Sequence, residues 1–164
     1  MANIKLDQNK YKAAFLYLLD KLGKIEGKKK AYKLFYFLDF DFYEAYEKSF
    51  TGDVYRALPM GPAPTYFDAI AEELQQEGYI KISKERKSVS HGFDTIIYQE
   101  IKPLKYDFSK DELHMLNRVI EKYGPLTGKE LENLSHNQAP YAAVNLNDVI
   151  PYEFSLYRDT PNLT

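Results

Sequence analysis

The chain has no cysteine and no tryptophan among its 164 residues, and only three histidines. Without cysteine there is no disulfide, no thiolate nucleophile and no Cys-ligated zinc. His91, His114 and His136 are not spaced to one another, or to a carboxylate, as metal ligands or a catalytic pair are. Neither a glycine-rich phosphate loop nor a Gly-x-Ser-x-Gly nucleophile elbow occurs. Basic residues are not in excess: 22 Lys and Arg face 24 Asp and Glu, for a formal net charge of −2. A protein that lives on phosphate neutralisation carries a basic surplus, so general nucleic-acid binding is disfavoured. No apolar run approaches a membrane span, and the N-terminal MANIKLDQNKYK has no signal core. These absences lead to the expectation of a cytoplasmic protein with no cofactor and no metal site.

What the chain has instead is aromatic bulk, 15 Tyr and 10 Phe. At this length one domain, residues 1–164, can bury its own core. Tyr11, Ala14, Phe15, Leu18, Leu19 and Leu22 make one helical stripe, with Asp7 as N-cap and Gly23 as stop. A second helix is predicted from Lys28 to Tyr46. It is apolar on nearly every side: Ala31, Leu34, Phe35, Leu38 and Phe42 on one stripe, Tyr32, Tyr36, Phe40 and Tyr43 on another. Such a helix must be covered on two faces. Asp39 and Asp41 lie inside this aromatic region, and a carboxylate there is costly unless bonded. Thr51-Gly52-Asp53 is a turn signal, Val54 to Leu58 a short strand and Met60 to Pro64 a rigid loop, with Pro64 opening a third helix. That helix carries Phe67, Ile70, Ala71 and Leu74 and ends at Gly78. Tyr79–Ser83 and Phe93–Ile101 read as strands around a polar hairpin tip. Ser109…Glu112 and Thr127…Glu130 are capping boxes. Their helices carry Leu113, Leu116, Val119, Ile120 and Tyr123, then Leu131 and Leu134. Pro140 and Pro151 mark short helical turns, and the chain is expected to fray from Thr160. The class is α+β, mainly α: a helical domain with a small three-stranded antiparallel sheet.

Asp39, Asp53 and Glu44 could form a carboxylate site. The better reading is that Asp39 accepts hydrogen bonds from the 51–58 segment and Asp53 holds its own turn. Gly61 is expected to hold a backbone shape or close approach that a side chain would disturb. Lys28–Lys30 and Lys84–Lys87 are basic runs of the kind found on solvated surfaces. The second also suits the wing of a winged-helix DNA reader, with Lys84, Arg86 and Lys87 on phosphate and Pro64–Gly78 as recognition helix. Two arguments oppose it. A winged helix places two helices between its first and second strands, and only one fits between 54–58 and 79–83. Asp68, Glu72, Glu73 and Glu77 would also repel phosphate.

Taken in order, three pieces of sequence resemble one known family. They are Lys33-Leu34-Phe35-Tyr36-Phe37-Leu38-Asp39-Phe40, then Thr51-Gly52-Asp53, then Leu58-Pro59-Met60-Gly61-Pro62. The family is that of the Panacea-domain, SocA-like antitoxins, often phage-associated. Leu134-Ser135-His136 followed by Pro140-Tyr141 is similar to its second motif, with Tyr141 where members commonly carry Trp. The resemblance runs from about Tyr11 to Ile150. It implies a mostly helical domain that neutralises a cognate toxin by binding it, not by catalysis; DNA binding at its own promoter is compatible with that role and disfavoured by the charge. Tyr141, Tyr152 and Tyr157 are the tyrosines expected to face that partner.

Overall fold

A computed structural model of the chain describes residues 4–86 and 94–164. Lys87 and His91, with the tip of the predicted wing, lie outside the described residues. In chain order the elements are α1 (Gln8–Leu22), β1 (Ile25–Glu26), α2 (Lys28–Tyr46), β2 (Tyr55–Leu58), β3 (Gly61–Pro64) and α3 (Phe67–Gln76). Then follow β4 (Ile80–Glu85), β5 (Thr95–Glu100), α4 (Lys110–Tyr123), α5 (Gly128–His136), α6 (Ala139–Ala142) and a 3-10 helix, Tyr152–Tyr157. The fold is α+β and mainly α, with a three-stranded antiparallel sheet ordered β1-β5-β4 and a separate β2-β3 hairpin.

The local signals act as their chemistry requires. The Asp7 side chain accepts from the Lys10 N–H at 3.0 Å, and Gly23 closes α1 with a positive φ and an N–H to Leu19 O. Both capping boxes form. α2 begins at Gly27, whose N–H donates to Ile96 O at 2.7 Å, so the sheet anchors the start of the helix that has no side-chain cap.

α2 is the centre. Every residue from Lys33 to Tyr43 is buried. Phe35 meets Tyr11, Phe15 and Phe67; Phe37 stacks on Tyr123 of α4 with ring centroids 4.1 Å apart; Tyr36 and Phe40 meet Tyr55 of β2. Phe40 and Tyr43 also meet Tyr152 of the 3-10 helix. Burial of each such ring contributes on the order of 2 kcal/mol, which is why an all-apolar helix settles in the middle.

Several expectations are corrected. The predicted Met60–Pro64 loop is largely strand: β3 runs Gly-Pro-Ala-Pro and pairs with β2, Pro62 opposite Ala57 and Pro64 opposite Tyr55. The Thr65 N–H donates to Val54 O, so Pro62 and Pro64 occupy the alternate positions whose missing N–H points off the ladder. Pro64 therefore ends a strand, and α3 starts at Phe67. The third strand of the sheet is β1, not 55–58: Ile25 pairs with Tyr98. Two residues offer nothing periodic to their helices' buried faces. Leu113 and Leu134 are 36% and 42% exposed, while Met115 is fully buried in α4. The C-terminal segment does not fray at Thr160. Thr160 donates to Glu44 through N–H and hydroxyl, and Arg118 donates to Pro161 O and Asn162 O.

Asp39 has no solvent contact, and its two oxygens accept four bonds: Phe50 N at 2.8 Å, Thr51 N at 2.6 Å, Thr51 Oγ1 at 2.6 Å and Tyr55 Oη at 2.6 Å. Asp39→Ala strips these donors at once and is expected to cost ~3–5 kcal/mol in denaturant unfolding. Asp39→Asn is expected to cost clearly less, because two of the donors are hydroxyls that can turn to accept from its amide. Equal losses for the two variants would show that the hydrogen bonds are not what the site contributes.

Candidate functional site

The motif residues gather in two places on either side of α2. The first is a buried polar cluster around Asp39, Thr51 and Asp53. Thr51 Oγ1 donates to Asp39 and accepts from the Asp53 N–H at 3.1 Å. Asp53 accepts from Tyr11 Oη at 2.7 Å, Val54 N at 2.7 Å and Tyr66 N at 3.0 Å, as a turn-holding carboxylate should. Tyr152 Oη donates to Asp53 O. Gly52, at φ +78°, packs so closely that a Cβ would stand 2.0 Å from Lys5 O. Burial pushes the Asp39 carboxyl up to about 6, while hydrogen bonds from Thr51 and Tyr55 hold it down against that. Burial and the nearby carboxylates push the Tyr11 and Tyr55 hydroxyls far up, so both stay protonated as donors. Every carboxylate oxygen here is occupied. The arrangement holds a loop; it presents no nucleophile with an adjacent free base.

Neither Glu44 nor His136 joins that cluster. Glu44 lies beside Asp41, where Arg158 reaches Asp41 at 3.0 Å and Glu44 at 2.9 Å, and Arg118 reaches Asp41 at 2.7 Å. Tyr123 Oη also donates to Asp41. This buried network has no local signature, since its arginines come from α4 and from beyond the 3-10 helix.

The second place joins α2, β3, α5 and α6. Lys33 is 2% exposed and donates from Nζ to Pro62 O at 3.0 Å. That carbonyl points off the β2–β3 ladder, so the amine satisfies an acceptor on the outer edge of β3. Gly61, at φ +108°, leaves the room: a Cβ there would lie 2.6 Å from Lys33 Cε and 3.1 Å from Ser135 Oγ. Ser135 Oγ itself donates to Glu132 O. His136 stacks on Tyr141 with ring centroids 4.5 Å apart and 5° between planes, and Tyr141 Oη donates to Leu58 O at 2.6 Å. Leu34, Tyr36 and Pro140 are buried, Tyr36 donating to Gln138 Oε1. Leu134 turns outward. Among the described residues no group of His, Asp and Glu is placed to hold a metal ion.

The three tyrosines expected at a partner divide. Tyr157 is 78% exposed, and Tyr141 is half-buried. Tyr152 is a correction: it is 7% exposed, with its ring against Phe40 and Tyr43 and its hydroxyl bonded, so it belongs to the core. The topological objection to a winged helix is also overturned. With β1 as first strand, two helices, α2 and α3, precede β4, and the β2–β3 hairpin is an insertion between them. The charge objection stands. Asp68, Glu72, Glu73 and Glu77 are all exposed, with Lys12 and Lys28 pairing three of them. Lys84 and Arg86 are exposed on β4 and just after it, Arg86 lying 3.9 Å from Asp94.

Burial lowers the Lys33 amine to about 8 from its ordinary 10.5, with Glu132 opposing and Lys29 adding to the shift. Between those two values the unfolded chain keeps a proton that the folded chain has released. Folding stability therefore rises with pH through that window. Wild type is expected to gain stability relative to Lys33→Met as pH climbs from about 8 to 10.5. A difference in denaturation midpoint that stays constant with pH would mean that Lys33 titrates normally.

No curated protein and no solved structure matches the chain. One family model does, described as "Antitoxin SocA-like, Panacea domain", over residues 32–141. That span takes in most of α2, with Lys33 and Asp39, the Thr51–Asp53 turn, the Gly61-Pro62 strand and the Ser135–Tyr141 region. On that match the chain belongs to the SocA-like antitoxin, Panacea-domain family.

Proposed function

We propose that this protein is a non-catalytic antitoxin that neutralises a cognate toxin by direct protein–protein binding, in the cytoplasm of a bacterium or of a host carrying its prophage. The observation that carries the reading is the coincidence of the family match with residues that are buried and mutually bonded. The motif builds a scaffold around α2, and nothing in it is poised for chemistry. A binding role then falls to the surface, where Tyr157 offers a large exposed ring and Tyr141 a half-buried one. No described helix is long and apolar enough to cross a membrane.

A second reading, a winged-helix DNA-binding regulator, has the element order β1-α2-α3-β4-β5 in its favour and the acidic face of α3 against it. Lys84, Arg86 and Lys87 would be its phosphate contacts. Salt-dependent retardation of the operon's own promoter DNA is its measurement, and no retardation at low salt removes it.

The antitoxin reading is tested by expressing the neighbouring open reading frame with and without this protein. The neighbour alone is expected to arrest growth, co-expression to restore it, and the two chains to co-purify. Tyr157→Ala is expected to weaken the complex by ~2 kcal/mol with no change in melting temperature. A neighbour that is harmless alone, or that never co-purifies, overturns the reading.

A further inference from the structure

Between α1 and residues 103–108 the surface opens into a cleft of about 400 Å³, lined by none of the motif residues. Leu16 and Leu104 line it with apolar surface. Tyr17, Tyr106 and Phe108 supply aromatic wall, Phe108 edge-on to Tyr17 at 5.9 Å and 4.7 Å from Tyr106. Tyr17 is fixed there by its hydroxyl, which donates to Asn117 Oδ1 at 2.6 Å.

The charges lining this cleft are Asp20, Glu100 and Asp107 against one cation, Lys105. Asp20 has a loose partner, Lys21, at 3.8 Å. No ion pair with a described residue compensates Glu100 or Asp107. Asp20 and Glu100 both line the cleft, and burial with the charge of Asp20 raises the Glu100 carboxyl. The Tyr106 hydroxyl is likewise pushed up by burial and by Asp7, Glu112 and Asp107. The Tyr17 ring already takes a cation from its own helix, with Lys21 Nζ 5.5 Å from the centroid. Apolar floor, aromatic wall and a rim on which three carboxylates outnumber one cation together describe a receptor for a long side chain with an apolar stem and a cationic head.

We propose that this cleft receives an arginine side chain from a segment of the bound protein partner. Arginine fits better than lysine because its planar head can lie on an aromatic ring while its fork spans two carboxylates. That the partner is a protein rests on the antitoxin reading; the cleft's preference for the side chain does not.

The test uses the isotope-labelled full chain and the peptide acetyl-Leu-Arg-Leu-amide, followed by NMR. The arginine peptide is expected to shift signals of Tyr17, Glu100 and Tyr106. Its counterpart with citrulline, uncharged and nearly the same shape, is expected to bind about tenfold more weakly. Glu100→Gln with Asp107→Asn is expected to bring the arginine peptide down to the citrulline value at an unchanged melting temperature. Equal affinity for the two peptides, shifts away from the cleft, or no shift at all overturns the proposal. Free arginine amide binding as tightly as the peptide also overturns it, since the cleft is then a small-molecule site. Co-purification with the neighbour-encoded toxin is read separately, so either reading can fail while the other stands.

Discussion

A carboxylate without solvent is the constraint on which the rest of this structure depends. Asp39 sits in the middle of α2, where charge is least welcome, and it persists because the next segment of chain brings two backbone amides and two hydroxyls to it. Those bonds turn the chain back over the helix at residues 50–55. The return places Tyr55 on Tyr36 and Phe40, starts the β2–β3 hairpin and brings Pro62 to Lys33. Asp39 and Lys33 thus act as two polar pins, six positions apart on one helix, that fasten the same hairpin, one at the start of β2 and one within β3. An apolar helix alone could be covered by many arrangements of similar energy; buried polar groups with few acceptable partners narrow the choice.

The same economy governs the far end of α2. Asp41 and Glu44 collect Arg118 and Arg158, and with them α4 and the C-terminal segment. A helix with aromatics on all sides is therefore positioned by charge at three places, with ring packing filling the space between.

Much of this was legible from residue types. The Asp39 carboxylate announced its partners by cost: an acid inside an apolar helix, followed closely by a Thr-Gly-Asp turn, has few other ways to be satisfied. The capping boxes and the Asp7 and Gly23 boundaries followed from orphan backbone groups. Other features were hidden for equally physical reasons. β3 reads as a loop because proline cannot join a ladder, and only the register shows that both prolines fall on its free edge. β1 is two residues long, too short for any alternation to register, yet it decides the sheet order and restores the winged-helix sequence of elements. Tyr152 looks like an interface residue by type; its burial depends on Phe40 and Tyr43, more than a hundred positions earlier.

By itself the sequence determined the class, most helix boundaries, the centrality of α2 and the family, because each rests on short-range periodicity, capping chemistry or the order of a few motifs. Tertiary structure alone decided that β1 joins the sheet and β2 pairs with β3, which tyrosines stay outside, where Asp41 finds its arginines and where an aromatic, acid-rimmed cleft opens. These depend on contacts between residues far apart in the chain, and side-chain chemistry names the kind of partner a group needs without saying which of several equivalent groups will reach it.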